Sequence, residues 1–419
     1  MTPLPDLGLA EQLFETLAAQ TRRGRGIERD SYGPGEQAGH DIARAAARAM
    51  GLDIVVDAIG NLTMVLPGRD RAAPMVLMGS HLDSVPQGGN FDGAAGVVAG
   101  LTILSAWRKA GRTPARDLAV MAIRAEESAW FDVPYVGSAG AFGLLDPACL
   151  SVRRADSGQT LKDALTAGGF DPGAIRGRRR LLDPARIAAY LELHIEQAPV
   201  LVHLDRPVAV VTGIRGCRRL RNVRCLGATG HSGALPRAYR QDAVAASVAL
   251  LGYIDRSWQA HEAAGADLVV TTGEFTTDPA QHGPSKVAGE TRFVIDIRSV
   301  SDATMEEMEV EVRAHAAAVE AEYRVEFDLG EASYSPPAVM DDGLQRALAT
   351  GMATLGLPLQ VMASGAGHDA AIFAAVGVPA GMIFIRNQNG SHNPDEAMDM
   401  SDFALGTRAL AEAVTALAG

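Results

Sequence analysis

The chain has 419 residues, long enough for two domains. Hydrophobic residues make up 47% and charged residues 21%, the balance of a globular protein. Lys and Arg number 38 against 50 Asp and Glu, and the resulting net charge of −12 argues against nucleic acid or an anionic membrane as partner. The three cysteines, Cys149, Cys217 and Cys225, have no metal-knuckle spacing and give no disulfide framework, which fits a reducing, cytoplasmic setting. No run approaches the roughly 18 apolar residues of a membrane span, and the amino-terminal MTPLPDLGLAEQ lacks the basic start and apolar core of a signal peptide.

In chain order, Leu9, Leu13 and Leu17 recur at helical spacing within residues 7–21, and residues 22–35 read as a basic, Gly-containing loop. A second helix is expected over 38–50, ended by Gly51. Strands at 53–56 and 61–66 flank a turn at Gly60. Residues 74–80 form a short apolar strand, followed by His81 and Asp83, a turn-rich segment, and then Asp92 and Gly93 opening a small-residue helix over 94–104. In an open α/β sheet, ligands bind at the carboxyl ends of strands, so His81 and Asp92 fall where chemistry is expected. Taken alone, the pair also reads as a strand-end histidine and a helix N-cap.

Three later stretches repeat that placement. Glu126 and Glu127 follow the apolar strand 118–123; the strand YLELHIEQ alternates Leu191, Leu193 and Ile195 with Glu192, His194 and Glu196; and His392 follows an apolar strand and a glycine turn. Residues 130–143 read as an irregular loop near the site. From residue 210 the pattern becomes strand, helix, two strands, helix, strand, the order of a ferredoxin-like α+β unit, with helices at 240–253 and 304–319. From Leu344 the α/β pattern returns. The expected fold is therefore α/β with two domains. A mostly parallel-sheet catalytic domain is built from 1–209 and 331–419, with an α+β domain inserted at 210–330.

The motifs GSHLDSVPQGGNFDG, the 126–127 Glu pair, ELHIEQ, TGHSG (229–233), DIRS (296–299), SGAGHDA (364–370) and GSHNPDE resemble the amidase, hydantoinase and carbamoylase branch of the M20 metallopeptidases. The resemblance runs from near Leu9 to the carboxyl terminus, with seven separated motifs in the right order. It implies two divalent metal ions (Zn, Mn, Co or Ni). His81 and His194 hold one, Glu127 and His392 the other, and Asp92 bridges both. It implies Glu126 as general base and Asp83 as the group orienting His81. His231 is implied to reach the neighbouring subunit's site and stabilise the oxyanion, with Arg298 on a substrate carboxylate. Gln197, Ser285 and Gly365 are implied on the substrate side. The inserted domain is implied to be a lid through which two subunits pair as a homodimer.

The departures cluster on the substrate side. Relatives read EEGSRF where this chain has EESAWF, placing Trp130 at a position expected to add an aromatic surface. Their carboxylate-binding Asn is here Ser285, their frequent Gln is Cys217, and HIEQGP has become HIEQAP at Ala198. The expected substrate is an N-carbamoyl or N-acyl amino acid with a bulkier or differently placed side group. His194 stands where peptidase relatives use an acidic ligand, which argues against a peptidase or aminoacylase. Retention of Glu126 argues against a catalytically silent metal-binding protein.

Overall fold

The structure, a computed structural model, describes residues 2–419. It divides into two compact units: the chain up to Thr212 together with Val339–Gly419, and Gly213–Ala338. The boundaries fall three and eight residues beyond those expected at 209/210 and 330/331. The strand Val208–Ile214 carries the first unit's sheet past residue 210, and Ser333–Ser335 still pairs in the second unit's sheet.

The first unit is built on a nine-stranded sheet. Its four central strands, Leu118–Ile123, Met75–His81, Ile187–Ile195 and Ala380–Ile385, run parallel. On either side, Leu62–Leu66 with Asp53–Val56, and Val208–Ile214, join antiparallel. The sheet is thus mixed rather than mostly parallel. Strands 53–56 and 62–66 are joined by the short turn around Gly60, which permits only antiparallel pairing, whereas the central strands are linked through helices. Both faces of the centre are covered. On the strand Ile187–Ile195, Leu191 and Leu193 enter the core shared with the helices Ala94–Lys109 and Met400–Ala418. The adjacent Tyr190 points to the other face, where it stacks 3.7 Å from Phe373 of the helix Asp369–Ala375. The near-continuous apolar runs of these strands follow from that double coverage.

The second unit has a six-stranded sheet whose long strands are Gly216–Leu226 and Glu290–Ser299, paired antiparallel at its centre. Val269–Thr271 lies outside the latter and Glu326–Asp328 outside the former, so the four strands of the β-α-β-β-α-β order stand as 4-1-3-2. Leu220, Val223, Phe293, Ile295 and Ile297 pack against Leu250, Ile254, Met305 and Val312 of the helices Ala243–Ala263 and Asp302–Tyr323. Both helices run longer than their apolar periodicity suggested. Asp242 and Ser301 cap their first turns, and polar residues on the outer face carry them on. The segment 130–143, expected to be irregular throughout, contains the helix Val136–Ala141. Among the described residues, no helix is long and apolar enough to cross a membrane.

Candidate metal centre and catalytic site

The four parallel strands end at His81, Ile123, Ile195 and Ile385, and the expected donor residues come from these ends and the loops that follow them. Asp92 is the hub. Its Oδ1 lies 3.4 Å from His81 Nε2 and 3.3 Å from His194 Nε2, while its Oδ2 lies 3.4 Å from His392 Nε2. His392 Nε2 is also 3.2 Å from Glu127 Oε1. Two donor groups result, His81–Asp92–His194 and Asp92–Glu127–His392, sharing one carboxylate. Asp92 is not the N-cap of the following helix. Gly93 takes that position with φ +66°, and a Cβ there would fall 2.5 Å from the His81 ring. That close approach, together with a backbone conformation favouring glycine, brings Asp92 against the imidazole.

The donors fit divalent cations. Asp92 Oδ1 is buried and accepts no hydrogen bond, although two imidazole nitrogens face it. Each of these imidazoles has its other nitrogen engaged. His81 Nδ1 lies 3.1 Å from the Asp83 carbonyl and 3.4 Å from its carboxylate, and His194 Nδ1 lies 2.9 Å from the Ile195 carbonyl. A histidine that donates through Nδ1 presents its Nε2 lone pair, the donor a metal would take, although that of His194 accepts the Gly93 N–H at 3.1 Å here. Burial works to raise the Asp92 carboxyl, but the adjacent imidazoles of His194, His392 and His81 overcome it and hold it well below the usual range. For His392, pairing with Asp92 and Glu127 raises the imidazole to about 10. Burial pushes the Glu126 carboxyl well above its ordinary value, Glu127, Asp369 and Asp83 adding to the effect and His81 opposing it.

Asp83 does more than face His81. Its Oδ1 accepts the backbone N–H of Glu126 at 3.0 Å and its Oδ2 that of Glu127 at 3.1 Å, with Ser31 Oγ donating at 2.7 Å. One buried carboxylate therefore orients a histidine on one strand end and the acid pair on the next. Several residues around the donors adopt the left-handed backbone region, which costs about 1–3 kcal/mol for a non-glycine residue. They include Ala125 (φ +49°), Gln197 (φ +65°) and His392 (φ +60°).

A cavity of about 160 Å³ opens on the donors and is also lined by Ser128, Pro134, Tyr135, Gln197, Ala366 and Gly367. Gln197 is tied to the hub, donating through Nε2 to Asp92 Oδ2 at 2.9 Å. Of the turn over residues 365–367, Ala366 and Gly367 line the cavity.

A family model described as Peptidase family M20/M25/M40 matches residues 77–416. The chain is 32% identical to an N-carbamoyl-L-amino acid amidohydrolase of Geobacillus stearothermophilus, over 98% of both chains. The chain belongs to the M20/M25/M40 family. It is also 34% identical to the allantoate amidohydrolase of Escherichia coli K12, covering 87% of this chain and 86% of that one. The crystal structure of a hydantoinase/carbamoylase family amidase from Burkholderia ambifaria superposes with a TM-score of 0.89 at 31% identity, covering 100% of this chain and 99% of the other. Within the M20 family, the chain sides with these amidases.

The remaining expected site residues lie in the second unit. His231 pairs in a two-residue strand opposite Lys286, next to Ser285, whose carbonyl accepts the Ser232 N–H at 2.9 Å. Its exposed ring accepts the Gly233 and Ala234 N–H groups at Nδ1, which leaves Nε2 outward. Arg298 bonds Asp296 of its own strand, with a closest distance of 3.0 Å. The His231–Ser285 segment adjoins the Glu290 end of the strand Glu290–Ser299, and Arg298 stands near the other end. At 3.3 Å per residue, Glu290 and Arg298 are about 26 Å apart. Ser285 and Arg298 of one chain thus lie toward opposite ends of that strand.

Trp130 departs from its expected place on the substrate side. It is 4% exposed, donates its indole N–H to the Ser84 carbonyl at 2.7 Å, lies under the Arg154 guanidinium, and packs with Phe131, Val136 and Leu150. It is a core residue and adds no aromatic surface to the cavity. Trp130→Ala is expected to lower unfolding stability by about 3 kcal/mol or more, measured by urea titration, with the ranking of substrates unchanged. A changed ranking at full stability would return it to the substrate side.

Sequence reasoning missed Ser391 and Glu396. Ser391 Oγ donates to Asp92 Oδ2 and lies 2.7 Å from Glu396 Oε2, while Glu396 Oε1 accepts the Phe91 and Asp92 N–H groups at 2.8 and 3.2 Å. Both sit in the GSHNPDE motif, and that was the only available signal. The close packing of Glu396 against Gly89, where a Cβ would fall 2.1 Å from its carboxyl, has no trace in the sequence.

Proposed function

We propose that this protein is a dinuclear metal-dependent amidohydrolase cleaving the linear amide C–N bond of an N-carbamoyl or N-acyl amino acid. The chain is a hydrolase of linear amide C–N bonds, as its relatives' activities and its family membership support. The observation that carries the dinuclear reading is the Asp92 carboxylate. Its two oxygens face two separate donor pairs, His81 with His194 and Glu127 with His392. A carboxylate in that position would offset the repulsion between two cations held by the two donor pairs. Mixed imidazole and carboxylate donors suit Zn, Mn, Co or Ni without choosing among them.

When bound, such ions acidify a water molecule and polarise the scissile carbonyl. Glu126, next to Glu127 and facing the cavity, takes a proton from the attacking water and returns it to the leaving nitrogen. Asp83 holds both Glu backbones and the His81 ring so that base and donors share one frame. His231 supplies the oxyanion contact from the neighbouring subunit of a homodimer formed through the inserted domain acting as a lid. Arg298 pairs with the substrate carboxylate, and Ser285 and Gln197 face the substrate. Because Ser285 and Arg298 lie far apart in one chain, a ligand touching both takes them from two copies.

The test is a panel of N-carbamoyl, N-formyl and N-acyl amino acids and dipeptides, run after chelation and reloading with Mn, Co, Ni or Zn. The expected result is no activity after chelation, recovery with metal, and preference for an N-carbamoyl or N-acyl amino acid bulkier than the alanine derivative. Best activity on allantoate or N-carbamoyl-alanine would reject the substrate assignment. Best activity on a dipeptide would favour the peptidase reading.

A further inference from the structure

The turn Arg124–Glu127 carries the base and one donor, and each of its backbone N–H groups has a side-chain acceptor. Arg124 N–H goes to Asn61 Oδ1 at 3.0 Å, Ala125 N–H to Glu36 Oε1 at 2.7 Å, and the next two to Asp83. The carbonyls of Arg124, Ala125 and Glu126 in turn accept the N–H groups of Gly137, Val136 and Tyr135. At the centre of this clamp Ala125 is 1% exposed and held at φ +49°, a conformation an alanine rarely adopts. The group holding it there is Glu36, from the first turn of the helix Pro34–Ala49.

Glu36 is fully buried and ion-paired with the equally buried Arg124, whose NH1 lies 2.8 Å from Glu36 Oε2. The guanidinium is fixed in turn by Gly60 carbonyl at Nε (3.0 Å) and Gln37 Oε1 at NH2 (2.6 Å). The Glu36 carboxylate also accepts the Tyr32 N–H at 2.7 Å. None of these groups lines the cavity on the metal donors. A buried ion pair is weak evidence for stability in itself, because its desolvation offsets its attraction. This one spends its second carboxylate oxygen on the single left-handed residue ahead of the base.

We infer that Glu36 and Arg124 are positioning residues for catalysis: together they hold Ala125 left-handed and so aim the Glu126 carboxylate. The inference rests on the reading of Glu126 as base. A misplacement of about 1 Å in a catalytic group lowers turnover by on the order of a hundredfold. Glu36→Gln keeps the size of the side chain and loses the charge that grips Arg124. It is expected to reduce kcat by about tenfold to a hundredfold, with KM and bound metal within about twofold of the parent. Arg124→Lys keeps a cation beside Glu36 but loses the fork to Gly60 and Gln37. It is the milder change, folds with its charge pair intact, and is expected to reduce kcat severalfold. Adding Ala125→Gly to Glu36→Gln is expected to recover part of the lost kcat, since glycine adopts the left-handed conformation without strain.

Parent-like kcat in both single variants overturns the inference. So does a loss of metal in step with kcat, which would mark a purely structural role, and so does an absence of recovery with Ala125→Gly. Glu126→Gln is run in parallel. If it stays active, the reading of the base fails, whereas an inactive Glu126→Gln beside fully active Glu36 and Arg124 variants removes only the positioning role.

Discussion

Glu126→Gln is expected to reduce kcat by about 10²- to 10⁴-fold, the usual contribution of a positioned general base, while metal content stays at the parent value. The substitution keeps the shape of the side chain and the backbone hydrogen bond from residue 126 to Asp83 Oδ1. It removes only the capacity to take a proton. Glu126 is 8% exposed, its Oε2 lies 3.9 Å from His81 Nε2, and it lines the cavity beside Glu127. A carboxylate there reaches the space between the two donor groups without belonging to the Asp92 hub. The measurement is kcat on the best substrate of the panel beside metal content by mass spectrometry. Equal turnover removes Glu126 as the base, and loss of metal with loss of turnover reassigns it as a ligand.

Asp92→Asn is expected to have the largest effect of all, taking bound metal from the proposed two ions per subunit to near none and activity to background. The change is nearly isosteric, but one oxygen becomes an N–H donor and the negative charge disappears. Asp92 is 3% exposed, with three imidazoles around it and an Oδ1 that accepts no hydrogen bond. Two cations sharing a neutral amide would repel without compensation. Metal content after reloading is the readout, and circular dichroism separates loss of metal from loss of fold. Full metal occupancy in the variant would refute the bridging role and with it the dinuclear site.

Trp130 sits three residues beyond Glu127, yet its indole is turned inward by a hydrogen bond to Ser84 carbonyl and by the Arg154 plane. Proximity in sequence to a strand end says nothing about which way a loop side chain points. For Arg298, strand periodicity does fix that it shares a sheet face with Asp296, but the distance to Ser285 depends on how the second unit's strands pair.

The places of His81, Glu127, His194 and His392, in or just after the ends of apolar strands, were legible in the sequence because parallel strands align their carboxyl ends, whereas their grouping with Asp92 as one donor set came only from the resemblance to the M20 amidases. Strand and helix order in both units was legible from apolar periodicity for the same reason: burying one face of an element leaves a repeat in the chain. Tertiary structure alone decided the antiparallel flanks of the first sheet, the inward turn of Trp130, and the separation of Ser285 from Arg298. It alone brought Glu36, Ser391 and Glu396 to the backbone and carboxylate of the site. These are polar contacts between residues far apart in the chain, such as Glu36 with Ala125 and Glu396 with Asp92. A hydrogen bond imposes no periodicity on the residues that make it, so only the folded geometry records which buried acid meets which N–H.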